Sequence, residues 1–285
     1  MMIAPETTAP ATTAAQREAF ATDGVVLLRD VLDIEWLSVL REAYDWSVAG
    51  HESDEYFSDM CDPHALVPYR YFLDESNIAD IIARIWSRSE VWFMYEQVFL
   101  RHGPLRRTRW RQDQSATAVD GNDLAVAWFS FEPHDAEHGL EFVRGSHRGP
   151  LYNGTAFDPE DPTAPCYADG DLLRMPDVEA DRNSFDIVSF DYLPGDVLIF
   201  HPKMLHGGGG TTSDDAHRHS VSLRFFGQDA IYATRPGSAG PRFPEVHAEL
   251  RDGDPFRHAR FPQLRPLSGR PPAIPRRPAA GLFPA

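Results

Sequence analysis

The chain has 285 residues, a net charge of −16 and 42% hydrophobic residues, which suits one large folded domain or two small ones. Because phosphate contacts require clustered Lys and Arg, this acidic balance argues against a nucleic-acid-binding protein. No apolar run approaches the roughly 20 residues of a membrane span, and the N-terminus lacks the pattern of a secretory signal. Two cysteines, Cys61 and Cys166, are too few for a disulfide framework and fit a reducing cytosol.

The first part of the chain predicts helices around one short strand. Trp36, Leu37 and Leu40 recur at the spacing of one helix face, and Asp33 before them is a suitable N-cap. Asp23-Gly24 is a turn signal that separates a short helix from the apolar run after it. The predicted elements are a disordered Ala/Thr/Pro-rich tail at 1–14, a helix at 15–22, a strand at 25–28, a helix capped by Asp33 and a helix at 77–86.

From Val91 onward the pattern changes to short β-strands. These segments mix aromatic and β-branched residues and are separated by turn sequences such as Pro194-Gly195-Asp196. No long helix interrupts them, which disfavours a parallel α/β sheet. The fold class that we expect is therefore mostly β with flanking helices, built from closed or sandwiched antiparallel sheets. The predicted strands span residues 91–100, 124–131, 140–143, 187–192, 197–200 and 220–226.

Two segments lie outside this pattern. Residues 148–186 are polar, rich in Pro and Asp, and too long for an ordinary hairpin loop. Loops of that length are often lids or binding loops. Residues 265–285 are rich in Pro and Arg and show no periodicity, which predicts a tail along the surface. We therefore expect one domain at 15–264, with a lid insert at 148–186.

The residues with the clearest chemical meaning are Trp110-Arg111-Gln112-Asp113 and His206. A non-haem iron(II) oxygenase holds its metal with two histidines and one carboxylate on one face. Strand residues at i and i+2 point to the same side, so a His-x-Asp pair on one strand binds one ion while a distant strand supplies the third ligand. Asp113 and His206 match two of these ligands, but the residue two before Asp113 is Arg111. That residue ends a basic cluster of Arg106, Arg107, Arg109 and Arg111.

Several segments together resemble the bacterial branch of the phytanoyl-CoA dioxygenase family of iron(II)/2-oxoglutarate oxygenases. The family's usual Trp-His-Gln-Asp stands here as Trp110-Arg111-Gln112-Asp113. The likeness covers residues 15–264 and implies a double-stranded β-helix, the jelly roll that is also called cupin-like. The other segments that carry it are Ala127-Trp128-Phe129, Glu137-His138-Gly139-Leu140-Glu141-Phe142-Val143-Arg144-Gly145-Ser146-His147, Pro194-Gly195-Asp196-Val197, Leu205-His206-Gly207 and Arg218-His219-Ser220-Val221-Ser222.

The resemblance implies roles for five residues. Asp113 and His206 would be ligands of iron(II), and Arg218 would hold the distal carboxylate of the cosubstrate 2-oxoglutarate. Arg218 suits this role because a guanidinium makes a two-pronged hydrogen bond to a carboxylate. Gln97 and Trp128 fall where the family has further contacts to the cosubstrate.

Arg111 departs from the family's pattern, and this departure bears directly on function. An arginine side chain has N–H donors but no lone pair for a metal, and it stays protonated in proteins. Its guanidinium could instead pair with Asp113 and occupy the space of the metal. Three interpretations stay open: another histidine completes the site, iron is held by two residues and the cosubstrate alone, or the site is metal-free. The candidate substitutes are His102, His134 and His138.

The first hypothesis for function is an enzyme, an iron(II)/2-oxoglutarate-dependent dioxygenase that oxidises a small organic molecule, by default through hydroxylation. Such an enzyme decarboxylates 2-oxoglutarate to succinate, and the protein positions the substrate and excludes water. The alternative is a metal-free, non-catalytic binding or partner protein on the same scaffold, which Arg111 favours. A cupin-like isomerase or epimerase is a third hypothesis, against which Arg218 argues. No nucleic-acid or membrane partner is expected, and the sequence leaves the oligomeric state open.

Overall fold

The structure is a computed structural model that describes residues 12–266 apart from 52, 54, 61–65, 105, 157, 169, 215 and 237–242. Most of the tail predicted at 1–14 and of that at 265–285 lies outside the described residues, as does Cys61. No helix of the described part is long and apolar enough to cross a membrane. The helices are α1 (Ala14–Asp23), α2 (Ile34–Val48), α3 (Leu66–Glu75), α4 (Ile78–Trp86) and α5 (Pro244–Glu249).

The strands form antiparallel sheets throughout. The major sheet has the order β1-β9-β6-β11-β3-β13, and β2 pairs with β3 as well. The minor sheet has the order β4-β10-β7-β8, and β12 pairs with β5. The strands are β1 (Val25–Leu28), β2 (Glu55–Met60), β3 (Val91–His102), β4 (Thr108–Arg111), β5 (Val119–Asp120), β6 (Leu124–Ser130), β7 (Leu140–Val143), β8 (Ile187–Val188), β9 (Val197–Phe200), β10 (His206–Gly208), β11 (His217–Phe226), β12 (Ile231–Tyr232) and β13 (Gln263–Arg265).

The major and minor sheets face each other across a shared apolar layer. Trp128 and Phe200 of the major sheet lie in one buried cluster with Phe142 of the minor sheet. The rings of Phe142 and Phe200 are 5.0 Å apart between centroids. Two antiparallel sheets packed in this way form the double-stranded β-helix, so the prediction of a jelly roll with flanking helices is confirmed.

The helices cover the other face of the major sheet, which explains the composition of its central strand. Ala127 and Phe129 of β6 pack in the cluster that includes the helices, whereas Val126 and Trp128 pack in the cluster between the sheets. Because successive side chains of a strand point to opposite faces, a strand covered on both sides has no polar face. All seven residues of β6 are accordingly buried.

The predicted helix boundaries are confirmed by their capping groups. The Asp33 carboxylate accepts a hydrogen bond from the backbone N–H of Trp36 at 2.9 Å and begins α2. Thr13 forms a capping box at the start of α1, and Gly24 ends that helix in the left-handed conformation. The hydroxyl of Tyr44 donates to the carbonyl of Phe99 at 2.9 Å, which ties α2 to the major sheet.

The prediction of a strand at 187–192 is correct for its first two residues only. Ile187 and Val188 pair with β7. Past that point the chain leaves the minor sheet, and the hydroxyl of Ser189 donates to the carbonyls of Ala136 and Leu140. Tyr192 forms an isolated bridge with His134 instead. The elements that were not predicted are β2, β5, β12, β13, α3 and α5.

The predicted insert at 148–186 packs against the minor sheet. Met175 and Val178 lie in a buried cluster with Trp110, and the indole N–H of Trp110 donates to Glu179 at 2.9 Å. The insert is built from turns, isolated bridges and one short 3₁₀ helix, Arg182–Ser184, within its described residues. Its role as a lid stays a prediction.

Candidate active site

Strand β4 brings the Trp110-Arg111-Gln112-Asp113 segment to the inner side of the jelly roll. Trp110 is buried on the outer side of the minor sheet, so Arg111 faces the space between the sheets. Arg111 pairs with His206 of β10 in the antiparallel register. The chain turns into a short 3₁₀ helix at Asp113, which leaves that carboxylate next to His206.

A cavity of about 500 Å³ lies between the two sheets at this point. It is lined by residues of β3, β4, β6, β10 and β11, which are far apart in sequence and adjacent in the fold. All of the residues that were singled out for iron and cosubstrate line it, as does Arg111. They are Gln97, Asp113, Trp128, His206 and Arg218.

Asp113 and His206 lie close enough together to hold one metal ion between them. The His206 Nε2 atom lies 3.4 Å from Asp113 Oδ1. Two bonds of ~2.0–2.2 Å to a shared ion span such a distance. The Nδ1–H of His206 donates to the carbonyl of Met204 at 3.0 Å, so Nε2 carries the free lone pair. That Nε2 atom is buried and has no hydrogen-bond partner among the described residues.

Two arginines also reach Asp113, and one of them was not predicted. Arg111 Nε lies 3.5 Å from Asp113 Oδ1. Arg224 of β11 donates from Nη2 to Asp113 Oδ2 at 2.7 Å, and its guanidinium lies 4.8 Å from the ring centroid of Tyr95. The sequence held a signal for Arg224, because it follows Arg218 by an even number of residues on one strand and so shares its face.

The electrostatic balance keeps Asp113 ionised. Burial by itself would raise the pKa of this carboxyl, but His206, Arg224 and Arg111 together hold it well below its ordinary value. Burial lowers the pKa of the Arg111 guanidinium, and the nearby Asp113 carboxylate opposes that change. The site therefore presents a carboxylate that either a metal ion or the two guanidinium groups can neutralise.

The donor set fits iron(II) at two coordination positions and not at a third. Asp113 and His206 supply an ionised oxygen and an open nitrogen, whereas Arg111 supplies neither. The described residues contain no cluster of three His, Cys, Asp or Glu side chains that could hold a metal.

None of the three candidate substitute histidines lines the cavity. Nε2 of His102 lies 2.9 Å from Nε2 of His219, and Nε2 of His134 lies 2.6 Å from the hydroxyl of Ser130. Nδ1 of His138 lies 3.0 Å from the carbonyl of Gly210. The interpretation in which a neighbouring histidine completes the site is therefore not supported within the described part of the chain.

Arg218 is held rigidly at the wall of the same cavity. Its Nη1 and Nη2 atoms donate to the carbonyls of Gly209 and His138 at 2.7 and 2.6 Å. Its buried Nε has no hydrogen-bond partner among the described residues. Burial and the nearby Arg101 lower the pKa of Arg218 to about 10, so the side chain stays charged at neutral pH. A charged guanidinium that is held in place and keeps an unused N–H donor is suited to bind a carboxylate.

The glycines after His206 allow the backbone to pass close to β4 and to Arg218. A Cβ atom on Gly207 would lie 3.0 Å from the Thr108 carbonyl oxygen of β4. A Cβ atom on Gly209 would lie 2.6 Å from Arg218 Nη1, and the φ of Gly209 is +76°. At Gly209 only a glycine fits both the small space and the left-handed conformation. Its carbonyl accepts the hydrogen bond from Arg218, so this segment helps to fix the position of that side chain.

Several solved structures have the same fold. The α-ketoglutarate-dependent epimerase SnoN from nogalamycin biosynthesis aligns with 21% identity and a TM-score of 0.63, over 90% of this chain and 98% of that chain. EvdO2 from Micromonospora carbonacea var. aurantiaca, complexed with 2-oxoglutarate, aligns with 18% identity and a TM-score of 0.57, over 81% and 96% of the two chains. EctD from S. alaskensis with 2-oxoglutarate and 5-hydroxyectoine aligns with 18% identity and a TM-score of 0.58, over 87% and 90%.

The sequence comparisons identify the family. A comparison with curated proteins finds no match. The sequence model of the phytanoyl-CoA dioxygenase family matches residues 20–220. This match covers more than half of the chain, and the fold agrees with it. The chain therefore belongs to the phytanoyl-CoA dioxygenase family.

Proposed function

We propose that the protein is an iron(II)- and 2-oxoglutarate-dependent dioxygenase that oxidises, and by default hydroxylates, a small organic molecule. The observation that carries this proposal is the pairing of the His206 Nε2 lone pair with Asp113 Oδ1, at 3.4 Å, in the cavity that Arg218 lines. These groups supply two protein ligands for iron and a cation for a dicarboxylate, and they are brought together from three separate strands or turns. Membership of the family supports the same conclusion.

In this proposal the side chains have separate roles. Asp113 and His206 hold the iron, Arg218 binds the distal carboxylate of 2-oxoglutarate, and Gln97 and Trp128 contact the cosubstrate. The bound iron and 2-oxoglutarate supply the oxidising power that removes hydrogen from the substrate. The chain positions these groups, and the buried rings of Trp128 and Phe200 in the cavity wall keep water from them.

A second candidate function, a metal-free binding protein on the same scaffold, is favoured by one specific observation. The Asp113 carboxylate lies 2.7 Å from Arg224 and 3.5 Å from Arg111. It is therefore satisfied by guanidinium groups without any metal. An entering cation has to displace these contacts, and the positive charge of both arginines opposes it.

We expect the partner to be a small molecule rather than nucleic acid or a membrane, because the net charge is −16 and the site is a cavity between the two sheets. The expected compartment is the cytosol, since the two cysteines offer no disulfide framework.

The two candidate functions differ in metal content and in turnover of 2-oxoglutarate. We expect the purified protein to bind one equivalent of iron(II) under anaerobic conditions and to release succinate from 2-oxoglutarate in air. Asp113→Asn and His206→Gln should both abolish succinate release, because each removes a ligand at nearly constant volume. An enzyme is ruled out if the wild-type protein neither binds iron(II) nor releases succinate, whereas retained 2-oxoglutarate binding would then establish the binding protein.

A further inference from the structure

The entrance of the cavity carries positive charge that the proposed iron site and cosubstrate site do not use. Arg106 and Arg109 both line the cavity, on the segment that leads into Arg111. Arg106 is exposed, Arg109 is half-buried, and the Arg111 side chain is 26% exposed. Guanidinium groups therefore follow one another from solvent toward Asp113.

The charges of Arg106 and Arg109 are not neutralised within the described part of the chain. Arg109 donates from Nη1 to the backbone carbonyl of Asp158, and neither arginine forms an ion pair with a described carboxylate. Their neighbour Arg107 behaves differently, since its Nη2 lies 2.5 Å from Glu141. In this segment Arg107 is therefore ion-paired with Glu141, whereas Arg106 and Arg109 line the cavity without an ion pair to a described carboxylate.

The same cavity has an apolar wall and spare volume. Phe57, Phe99 and Leu140 line it, and the rings of Phe57 and Phe99 lie 5.1 Å apart between centroids. Sites for small organic ligands measure roughly 300–1,000 Å³. A cavity of about 500 Å³ therefore has room for a second molecule beside 2-oxoglutarate.

We propose that the substrate carries an oxyanion group, such as a phosphate, which Arg106 and Arg109 bind at the entrance while its carbon skeleton lies along the apolar wall toward Asp113 and His206. This proposal deepens the proposed function and rests on it. A guanidinium presents two parallel N–H donors that match the oxygens of a phosphate or carboxylate. Because neither arginine forms an ion pair with a described carboxylate, an incoming anion has no such ion pair to displace.

The test uses inorganic pyrophosphate as the probe and isothermal titration calorimetry as the readout, on the full chain saturated with 2-oxoglutarate so that Arg218 is occupied. We expect the wild type to bind pyrophosphate and the double variant Arg106→Gln/Arg109→Gln to bind it at least tenfold more weakly. The matched control is Arg148→Gln, which removes an exposed arginine that does not line the cavity. Its affinity for pyrophosphate should equal that of the wild type.

A second variant separates this proposal from the proposed function. Arg218→Gln should weaken 2-oxoglutarate binding and leave pyrophosphate binding unchanged, whereas the double variant should show the reverse. The oxyanion proposal is overturned if the wild type does not bind pyrophosphate, if the double variant binds it as tightly as the wild type, or if only Arg218→Gln loses it. Absence of iron binding or of succinate release would instead reject the proposed dioxygenase and would not alter these titrations.

Discussion

At the scale of single residues, iron binding depends on competition between a metal ion and two arginines for the Asp113 carboxylate. Asp113 contacts His206, Arg111 and Arg224 at once. Only the first of these contacts is compatible with a shared metal ion, because a guanidinium has no lone pair to donate. The affinity for iron therefore depends on how much free energy the two arginine contacts contribute in the metal-free state.

The variant Arg111→His tests this competition directly. It removes one guanidinium and adds a neutral nitrogen donor next to Asp113, so we expect the affinity for iron(II) to rise about tenfold or more. Anaerobic calorimetry with iron(II) measures the affinity, and succinate released in air without substrate should rise with it. Arg111→Gln is the control, since it removes the charge without adding a ligand. Tight binding of one iron by the wild type with no gain in Arg111→His would contradict our account of Arg111.

The variant Arg218→Ala tests the cosubstrate site. We expect the affinity for 2-oxoglutarate to fall by about 1.5–3 kcal/mol, the usual contribution of a hydrogen bond to a charged group. Arg218→Lys should lose part of this free energy, because a point charge cannot reproduce the two-pronged geometry. Calorimetric titration of 2-oxoglutarate into each protein measures both effects. Equal affinities in the wild type and in Arg218→Ala would remove Arg218 from the site.

At the scale of secondary-structure elements, the turn after β10 positions the site. The chain passes from His206 to Gly209 beside β4 and then supplies the carbonyl that Arg218 of β11 binds. One turn therefore fixes both His206, a proposed metal ligand, and Arg218, the proposed cosubstrate arginine. A substitution that shifts the backbone of this turn should therefore affect the positions of both His206 and Arg218.

Gly209→Ala should displace Arg218 and weaken 2-oxoglutarate binding, because the added Cβ would lie 2.6 Å from Nη1. It also costs roughly 1 kcal/mol of stability, since an alanine is strained in the left-handed conformation. Gly253→Ala is the matched control, because its φ is +87° but no atom lies within 4 Å of the added Cβ. We expect similar losses in urea-unfolding stability and a loss of 2-oxoglutarate affinity only in Gly209→Ala. Equal 2-oxoglutarate affinities in the two variants would refute this role of the turn.

At the scale of the whole molecule, the buried neutral side chain of His201 links distant segments of the chain through hydrogen bonds. The backbone N–H of Lys203 donates to His201 Nδ1 at 3.1 Å, and His201 Nε2 lies 3.3 Å from the carbonyl of Gly121. Both ring nitrogens are therefore used by the neutral form. Burial lowers the pKa of His201 from 6.5 to about 3.

This histidine makes the stability depend on pH. In the unfolded chain His201 takes up a proton near pH 6.5, whereas in the folded chain it stays neutral down to about pH 3. The unfolded state therefore binds more protons in this window, and the free energy of unfolding falls as the pH drops below 6.5, by up to about 1.4 kcal/mol per pH unit. Urea unfolding at several pH values measures the slope. His201→Gln should have a shallower slope than the wild type, and identical slopes would contradict the assignment.

The sequence by itself determined much of the local structure and singled out the candidate site residues. Apolar periodicity and the Asp33 cap placed α2, and apolar periodicity placed α4, because these signals act between neighbours in the chain. The strand at Leu140–Val143 and the strand at Val197–Phe200 were predicted to the residue. Asp113, His206 and Arg218 were found because the order of motifs resembles a family, and all three line one cavity.

Only the tertiary structure decided what surrounds Asp113. The contact between Arg224 and Asp113 joins residues 111 positions apart, and no local pattern records such a pair. The same holds for His102, His134 and His138, which are near in sequence but face other partners. Strand pairing selects which side chains share a cavity, and a shift of one residue reverses the face of each. Residue identity therefore determines which functional groups the site offers. The packing of the two sheets determines which charged groups surround Asp113.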